Sequence, residues 1–242
     1  MRISIIIPAY NEENTIGQVL EALIREVPDA AEIIVVDDGS KDQTAEIARG
    51  FAAKHPQVQV IQQPRNQGKT AALRTGFAAS TGDIVIIQDA DLEYDPVDIP
   101  VLTEPIQKGK ADVVFGSRFM TRRASRVLYF RHYLANQFLT FLSNLLTDLN
   151  LSDVETGYKA FRGEIIRNMV IETRGFGFEI EVTAKVAKLK CRVYEVPISY
   201  YGRTYEEGKK IGFKDGLDAI FYAFKYNLFV SLEKSFTKVP KL

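Results

Sequence analysis

Apolar and polar positions follow two rhythms along this chain. Short, largely apolar runs occupy residues 3–7, 32–36, 58–61, 83–88 and 112–115. They have strand length and are bounded by turn residues. Between them, residues 14–25, 40–54 and 69–80 carry helical spacing. In the first of these helices Ile16, Val19, Leu20 and Leu23 fall on one face. Ser40-Lys41-Asp42-Gln43 reads as a capping box opening the second. Asp95-Pro96 places a cap and a first-turn proline before a further helix. Strands apolar on both faces, alternating with helices, predict an α/β fold: a Rossmann-like, mostly parallel central sheet with helices on both faces.

The rhythm changes after residue 116. Residues 118–131 read as a basic loop. Residues 133–149 form a helix with Leu134, Phe138, Phe141, Leu142, Leu145 and Leu149 on one stripe. A helix at 178–189 and a strand at 193–200 follow, then a polar, basic loop at 202–212 and an aromatic-rich helix at 214–232. With no repeat, low-complexity tract or linker, residues 1–242 are expected to form one domain with a C-terminal helical extension from residue 213. No apolar run approaches the ~20 residues of a spanning helix. The opening apolar run is too short for a signal peptide's layout.

Total charge is +0 and gives no footing for nucleic-acid binding. The zero hides an asymmetry. Residues 1–115 hold 10 Lys and Arg against 18 Asp and Glu, a net of −8, and the remainder is +8. An acidic half suits a cation; a basic half suits phosphates or anionic lipid. Cys191 is the sole cysteine, so no intrachain disulfide forms, and it reads as structural. His55 and His132 have no metal-ligand spacing.

Polar residues cluster just after the strands, at the carboxyl edge where open α/β sheets bind ligands. Asp89-Ala90-Asp91 follows the fourth strand. In an extended segment its two carboxylates, and Glu93 two further on, point to one side. A hard divalent cation takes such oxygen ligands and bridges diphosphate oxygens. Pro8-Ala9-Tyr10-Asn11-Glu12 follows the first strand, and Val36-Asp37-Asp38-Gly39-Ser40 the second. Separately these are ordinary turn and cap sequences; together they bring three acidic clusters to one edge. Asp38 and Glu12 suit ribose or base edges, and Tyr10 suits stacking. Gly68-Lys69-Thr70 is not a P-loop, because position 63 is Gln63; it reads as a helix start after a glycine turn. Arg118, Arg122, Arg123, Arg126 and Arg131 crowd one segment and suit phosphate oxygens. Gly202, Gly208 and Gly212 punctuate a loop suited to closing as a lid.

The chain resembles glycosyltransferase family 2 in Pro8-x-Tyr10-Asn11-Glu12, Val35-Val36-Asp37-Asp38-Gly39-Ser40 and Asp89-Ala90-Asp91. Within it the chain is similar to the dolichyl-phosphate mannose synthase, or polyprenyl-phosphate glycosyltransferase, branch. That likeness rests on residues 115–119, Asp153 with Thr156-Gly157, Gly177-Phe178-Glu179, and Val196-Pro197 with Arg203 and Lys209-Lys210. The resemblance implies a GT-A fold and an inverting, metal-dependent transfer of a hexose to a polyprenyl or dolichyl phosphate. GDP-mannose is the favoured donor and UDP-glucose the alternative. It implies a donor-binding half at 1–116, an acceptor half at 117–212 and an amphipathic tail at 213–242. It implies nucleotide contacts from Pro8, Tyr10, Glu12, Val36, Asp38, Asp89 and Ala90, and Mg2+ or Mn2+ contacts from Asp91 and Glu93. Glu93 departs from the glutamine often found there. Arg118 and Arg131 match positions near the acceptor phosphate. Arg203 and Lys210 match a loop closing over the diphosphate.

A phosphate acceptor is already anionic and needs orientation more than a base; for an alcohol acceptor, Asp89 or Asp91 is the fallback base. Such an acceptor implies a peripheral protein at the cytoplasmic face of the membrane. The apolar helices at 133–149 and 220–230 then form a platform, alone, as a homodimer or with a membrane-anchoring partner. Three other readings are a family 2 enzyme using a saccharide acceptor, a non-catalytic sugar-nucleotide-binding protein, and a sugar-nucleotide pyrophosphorylase. The last is opposed by the lack of a glycine-rich opening: residues 1–20 contain only Gly17.

Overall fold

The computed structural model describes residues 1–120, 129–173, 175, 177–202 and 213–241, the side chains of 213–215 excepted. The strands are β1 (Ile3–Ala9), β2 (Glu32–Asp37), β3 (Val58–Gln62), β4 (Ile84–Ile87), β5 (Val113–Ser117), β6 (Lys159–Arg162) and β7 (Val193–Pro197). Among the described residues they form one sheet in the order β3-β2-β1-β4-β6-β5-β7. All neighbours are parallel except β6, which runs antiparallel to both β4 and β5.

The period of two sorts the strand side chains into two cores. Ile5, Ile7, Ile33, Val35, Ile84, Ile86 and Val114 face one way, against Ile16, Val19, Leu20 and Leu23 of α1 (Ile16–Glu26) and Ile99 and Leu102 of α4 (Ile99–Gln107). Ile6, Ile34, Val36, Val85, Ile87, Val113 and Phe115 face the other. They meet α3 (Lys69–Ala79), α6 (Gly163–Asn168) and α7 (Phe178–Leu189). The expected parallel sheet with helices on both faces is therefore present.

Local expectations shift in several places. α2 (Thr44–Ala52) starts four residues after Ser40 and has no side-chain cap on Gln43. The Ser40 hydroxyl is already committed: it accepts from Asn11 N at 3.0 Å. Asp42 instead accepts from the amide and hydroxyl of Thr44, at 3.0 and 2.6 Å. Asp95 does cap, accepting from Val97 N at 3.0 Å, but it opens a 3-10 turn, Pro96–Asp98, before α4. β6 had no counterpart in the apolar pattern. The aromatic C-terminal helix divides into α8 (Phe213–Phe224), a π turn at Lys225–Phe229 and α9 (Leu232–Ser235). The wider turn seats Tyr226 inward and fully buried, its ring under the ammonium groups of Lys185 at 4.9 Å and Lys225 at 4.7 Å.

α5 (Phe130–Thr147) is apolar on two sides. Leu139, Leu142 and Leu146 pack with Ala219 and Ala223 of α8 and with Ile180 of α7. Phe130, Leu134, Phe138, Phe141 and Leu145 form the opposite stripe and are 50 to 70% exposed. The predicted single stripe thus separates into an inner and an outer face. Phe221, Phe224, Leu228 and Phe229, on α8 and the π turn, are also exposed.

α3 lies close on β1 because Gly76 has no side chain. A Cβ there would stand 2.3 Å from Ile6 Cγ2 and 3.3 Å from Val36 Cγ2. Gly76→Ala is expected to destabilise the fold by about 1–3 kcal/mol through overpacking. Urea denaturation measures this, and an unchanged midpoint would mean that α3 can stand off the sheet.

Candidate active site

The site is built on the ends of β1, β2 and β4, three neighbouring strands. Pro8 pairs in register with Val36 and Ala9 with Asp37. Asp38 N donates to Ala9 O at 2.8 Å, and Gln88 N to Ile6 O at 2.9 Å. The segments 8–12, 36–38 and 88–91 are thereby brought to one sheet edge. Pro8, Val36 and Ala90 are buried, with the Val36 side chain committed to the core. Tyr10 is half-buried. Glu12 is fixed at both ends: its amide donates to Thr44 Oγ1 at 2.8 Å, and its carboxylate accepts from Thr15 Oγ1 at 3.1 Å.

Asp38 is buried and holds the start of α3. Its two carboxylate oxygens accept from the amides of Gln67 at 2.9 Å and Gly68 at 2.7 Å. Burial pushes its pKa above the ordinary aspartate value despite these bonds. Gly68 sits at φ 92, a conformation side chains disfavour, and from it Lys69 turns towards the acidic loop. Lys69 Nζ lies 2.7 Å from Asp89 Oδ1. Burial pulls the ammonium towards neutrality, but the charges of Asp89, Glu179 and Asp91 outweigh it and raise its pKa. The tripeptide rejected as a P-loop therefore supplies a cation directly at Asp89. The sequence held that lysine, but only the fold shows what it meets.

The acidic loop is not extended as expected. β4 ends at Ile87, and residues 90–93 turn, with Leu92 in the left-handed region at φ 63. For a branched non-glycine residue this is strained, a pattern that clusters at functional sites. The turn lets Glu93 N donate to Asp91 Oδ1 at 3.2 Å, and Glu93 Oε2 accepts from Tyr200 OH at 2.8 Å. Among the described residues no three His, Cys, Asp or Glu side chains converge on a point that could hold a metal. The donor set still fits a magnesium-like ion. Such an ion is held by one or two carboxylates plus substrate phosphates rather than by a complete protein cage.

Three tyrosines in ring contact support the loop. Tyr94 stacks on Tyr158 at 4.9 Å and meets Tyr200 at 5.3 Å. Tyr158 OH donates to the side-chain oxygen of Gln88, and Asp95 O lies 3.1 Å from the same hydroxyl. Gln88 in turn donates to Asp89 O at 3.1 Å and Tyr94 O at 3.2 Å. Gly157 N donates to Tyr94 OH at 2.8 Å. A Cβ on Gly157 would lie 2.8 Å from Asp89 Oδ2, so the backbone at Gly157 lies close against the acidic loop.

Arg118 closes the arrangement. Its Nε and Nη2 form a fork on the buried carboxylate of Asp153 at 2.6 and 2.7 Å, and Nη2 also donates to Asn136 Oδ1 of α5 at 3.1 Å. Its guanidinium carbon lies 5.1 Å from the Tyr200 ring centroid. Burial opposes both charges, yet each partner outweighs it: the Asp153 pKa falls and the Arg118 pKa rises. Arg118 thus stands at the site with most of its fork engaged by Asp153 and Asn136. Arg131 is exposed on the first turn of α5. Arg122, Arg123, Arg126, Arg203, Lys209 and Lys210 lie outside the described residues.

Glu155, Lys159 and Glu179 are further charges that the sequence reading did not single out as chemistry. Lys159 is fully buried on β6; its Nζ donates to Val154 O at 3.1 Å and to Thr156 O. Burial lowers its pKa to about 8, against the pull of Glu179, Asp153 and Glu155. Burial and then Glu179 push the Glu155 pKa from near 4.5 to about 8.

Comparison with known proteins agrees with this architecture. Residues 4–170 match the family described as Glycosyl transferase family 2. An undecaprenyl-phosphate mannosyltransferase of Micrococcus luteus is 32% identical over 218 residues, covering 88% of each chain. A dolichol-phosphate mannosyltransferase of Pyrococcus furiosus is 32% identical over 219 residues; the match covers 88% of this chain and 60% of that protein. The fold is similar to glucosyl-3-phosphoglycerate synthase from Mycobacterium tuberculosis, crystallised with Mn2+, UDP and glucosyl-3-phosphoglycerate. The TM-score is 0.69 at 23% identity, covering 93% of this chain and 80% of that one.

Two substitutions probe the buried charges. Asp153→Asn leaves Arg118 without its counter-charge and is expected to cost about 3–5 kcal/mol in chemical denaturation. For Glu155, the folded pKa lies above the unfolded value, so the folded state holds the extra proton and loses stability as pH rises from near 4.5 to about 8. Glu155→Gln should therefore gain in thermal midpoint over the parent as pH rises through that window, and a pH-independent difference would contradict the assignment.

Proposed function

The chain belongs to glycosyl transferase family 2, and we propose that it transfers a hexose from a nucleotide-diphosphate sugar to a polyprenyl phosphate at a membrane surface. GDP-mannose is the favoured donor and UDP-glucose the alternative. The observation that carries the lipid acceptor is the placement of α5. Asn136 ties this helix to Arg118 and Asp153 at the site, while its outer stripe of Phe130, Leu134, Phe138, Phe141 and Leu145 stays exposed. A hydrocarbon chain whose phosphate lies at the site would meet that stripe. The likeness to undecaprenyl- and dolichol-phosphate mannosyltransferases supports the same acceptor class.

In this reading the ends of β1, β2 and β4 take the nucleotide, through Pro8, Tyr10, Glu12, Val36, Asp38, Asp89 and Ala90. Asp91 and Glu93 would hold Mg2+ or Mn2+, which when bound would supply positive charge to a leaving diphosphate. Lys69 adds a second positive charge at the same carboxylate edge, and Arg203 and Lys210, outside the described residues, are assigned to the diphosphate by their place in the sequence. The acceptor phosphate needs no base, because it is already anionic. Arg131 receives it directly. Arg118 presents what remains of its fork while Asp153 holds it still. The result is a positioned, inverting displacement at the sugar's anomeric carbon.

No helix among the described residues is long and apolar enough to cross a membrane. The exposed stripes of α5 and of Phe221, Phe224, Leu228 and Phe229 suit peripheral docking in the interface. In this reading the protein works from the cytoplasmic face, where sugar nucleotides are available, either alone, as a homodimer or with a membrane-anchoring partner.

The test is hexose transfer to polyprenyl phosphate in vesicles, with GDP-mannose and UDP-glucose supplied separately. Transfer should require Mg2+ or Mn2+ and fall about 100-fold or more in Asp91→Asn, the scale of removing one contact to developing charge. A Phe138→Ser, Phe141→Ser double variant should lose vesicle binding and lipid transfer while keeping nucleoside-diphosphate binding. Consumption of neither donor with either cation would overturn the proposal, and transfer to a soluble saccharide instead would move the acceptor assignment.

A further inference from the structure

Glu155 and Glu179 are buried acids whose hydrogen bonding is incomplete. Glu155 Oε1 is closed off from solvent and has no hydrogen-bond partner. Glu179, on the first turn of α7, is 8% exposed. Its main-chain carbonyl accepts from Thr183 Oγ1 at 2.7 Å, but among the described residues its carboxylate makes no hydrogen bond or ion pair. Buried polar groups are nearly always paired, and an exception calls for a reason. Two such groups acting on each other mark a set of acceptors awaiting donors.

The fold puts both groups beside the acidic loop. Thr70 Oγ1 donates to Gly175 O at 3.1 Å, which joins the start of α3 to the segment leading into α7. Of the charges acting on Lys69, that of Glu179 is second only to Asp89, and Lys69 Nζ lies 2.7 Å from Asp89 Oδ1. Glu179 is also the strongest charge acting on Glu155 and on Lys159. Glu155 stands two residues before Gly157, whose backbone lies against Asp89. The two cations do not complete the acids: Lys159 donates to Val154 O and Thr156 O, and Lys69 is paired with Asp89. They balance charge, however, so a further cation has little to attract it, and no three His, Cys, Asp or Glu side chains among the described residues converge to hold one. An anion would be repelled by both acids. What suits the gap is a neutral ligand bearing O–H donors. Glu155 keeps its proton until pH nears 8, so it can also donate to such a ligand's oxygen.

We propose that Glu155 and Glu179 form a hydroxyl-binding subsite for the hexose of the donor and take part in selecting which hexose is accepted. This rests on the reading of the β1, β2 and β4 ends as a nucleotide-sugar site. In that reading Asp89 lies at the donor, and a hexose beside it presents hydroxyls to the two acids. A site built to hydrogen-bond a substrate hydroxyl rejects the analogue that lacks it, because its buried polar groups are then left unpaired. The diphosphate and the base make no use of these two residues, so the subsite is separable from the nucleotide site.

The experiment is calorimetry with Mn2+ and four probes: GDP, GDP-mannose, UDP and UDP-glucose. It compares the parent with Glu155→Leu and Glu179→Leu, which remove the polar oxygens at similar volume. Glu179→Leu should bind the preferred nucleotide sugar about 10- to 100-fold more weakly, the scale of a hydrogen bond to a charged group, and Glu155→Leu about 3- to 10-fold more weakly. The corresponding diphosphate should bind both variants as it binds the parent, which a general structural lesion would not allow. Deoxy analogues of the preferred sugar test the same subsite in the unaltered protein. At least one should bind the parent more weakly by a similar factor, and Glu179→Leu should then cost that analogue little, because both changes remove one interaction. The subsite is overturned, and the nucleotide site stands, if the parent binds every deoxy analogue as tightly as the full sugar, or if the leucine variants weaken diphosphate and nucleotide sugar equally or not at all. If the parent binds neither GDP nor UDP, the donor-site reading fails and the subsite falls with it.

Discussion

Carboxylates crowded at one edge of a sheet must each be compensated, and this requirement organises the site. A buried carboxylate without hydrogen bonds or a counter-charge is expensive. Asp38 is met by two amides at the start of α3, Asp89 by Lys69, and Asp153 by the fork of Arg118. Each compensation also fixes a segment. Asp38 sets the turn from which Lys69 departs, and Asp153 draws α5 in through Asn136. The electrostatic need and the placement of the functional side chains are met by the same bonds.

The second consequence is that the two halves of the chain are not independent. The acidic loop belongs to the first half, yet its supports come from the second. Tyr158 on the approach to β6 holds Gln88, Gly157 abuts Asp89, and Tyr200 holds Glu93. An acidic loop supported by residues so far along the chain couples the two halves through direct contacts. That support also explains why the Glu93 carboxylate can sit beside a strained backbone without wandering.

Much of this was legible in the chain. Ile3–Ala9, Glu32–Asp37 and Ile84–Ile87 are apolar on both faces, so their burial and the parallel sheet follow from pattern alone. The clustering of Asp38, Asp89 and Glu12 followed from counting strand ends. β6 was not legible, because its Lys159 and Arg162 look like surface residues, and only the fold shows the Lys159 ammonium buried on carbonyls. Lys69 was weighed as a P-loop fragment, since its partner lies on another strand end. Arg118 was assigned from its chemistry as a phosphate receptor; pairing with Asp153 depends on how residues 148–158 return to the sheet. Periodicity reports which face is buried, but not which polar group a distant loop will deliver.

The antiparallel strand β6 has a bearing on how the molecule assembles. It lies between β4 and β5, so those two sequential strands never pair with each other. The centre of the sheet stays open until the chain has made α5 and come back; the bond between Tyr158 and Gln88 spans 70 residues. Contacts of such separation form late and slowly. While the protein is being made, the unpaired edge of β4 exposes Ile84-Val85-Ile86-Ile87 as a template for strand pairing with other chains. Synthesis that stalls before residue 159 would therefore leave an aggregation-prone chain whose first four strands are already made. The exposed apolar helix that follows β5 would add to that hazard.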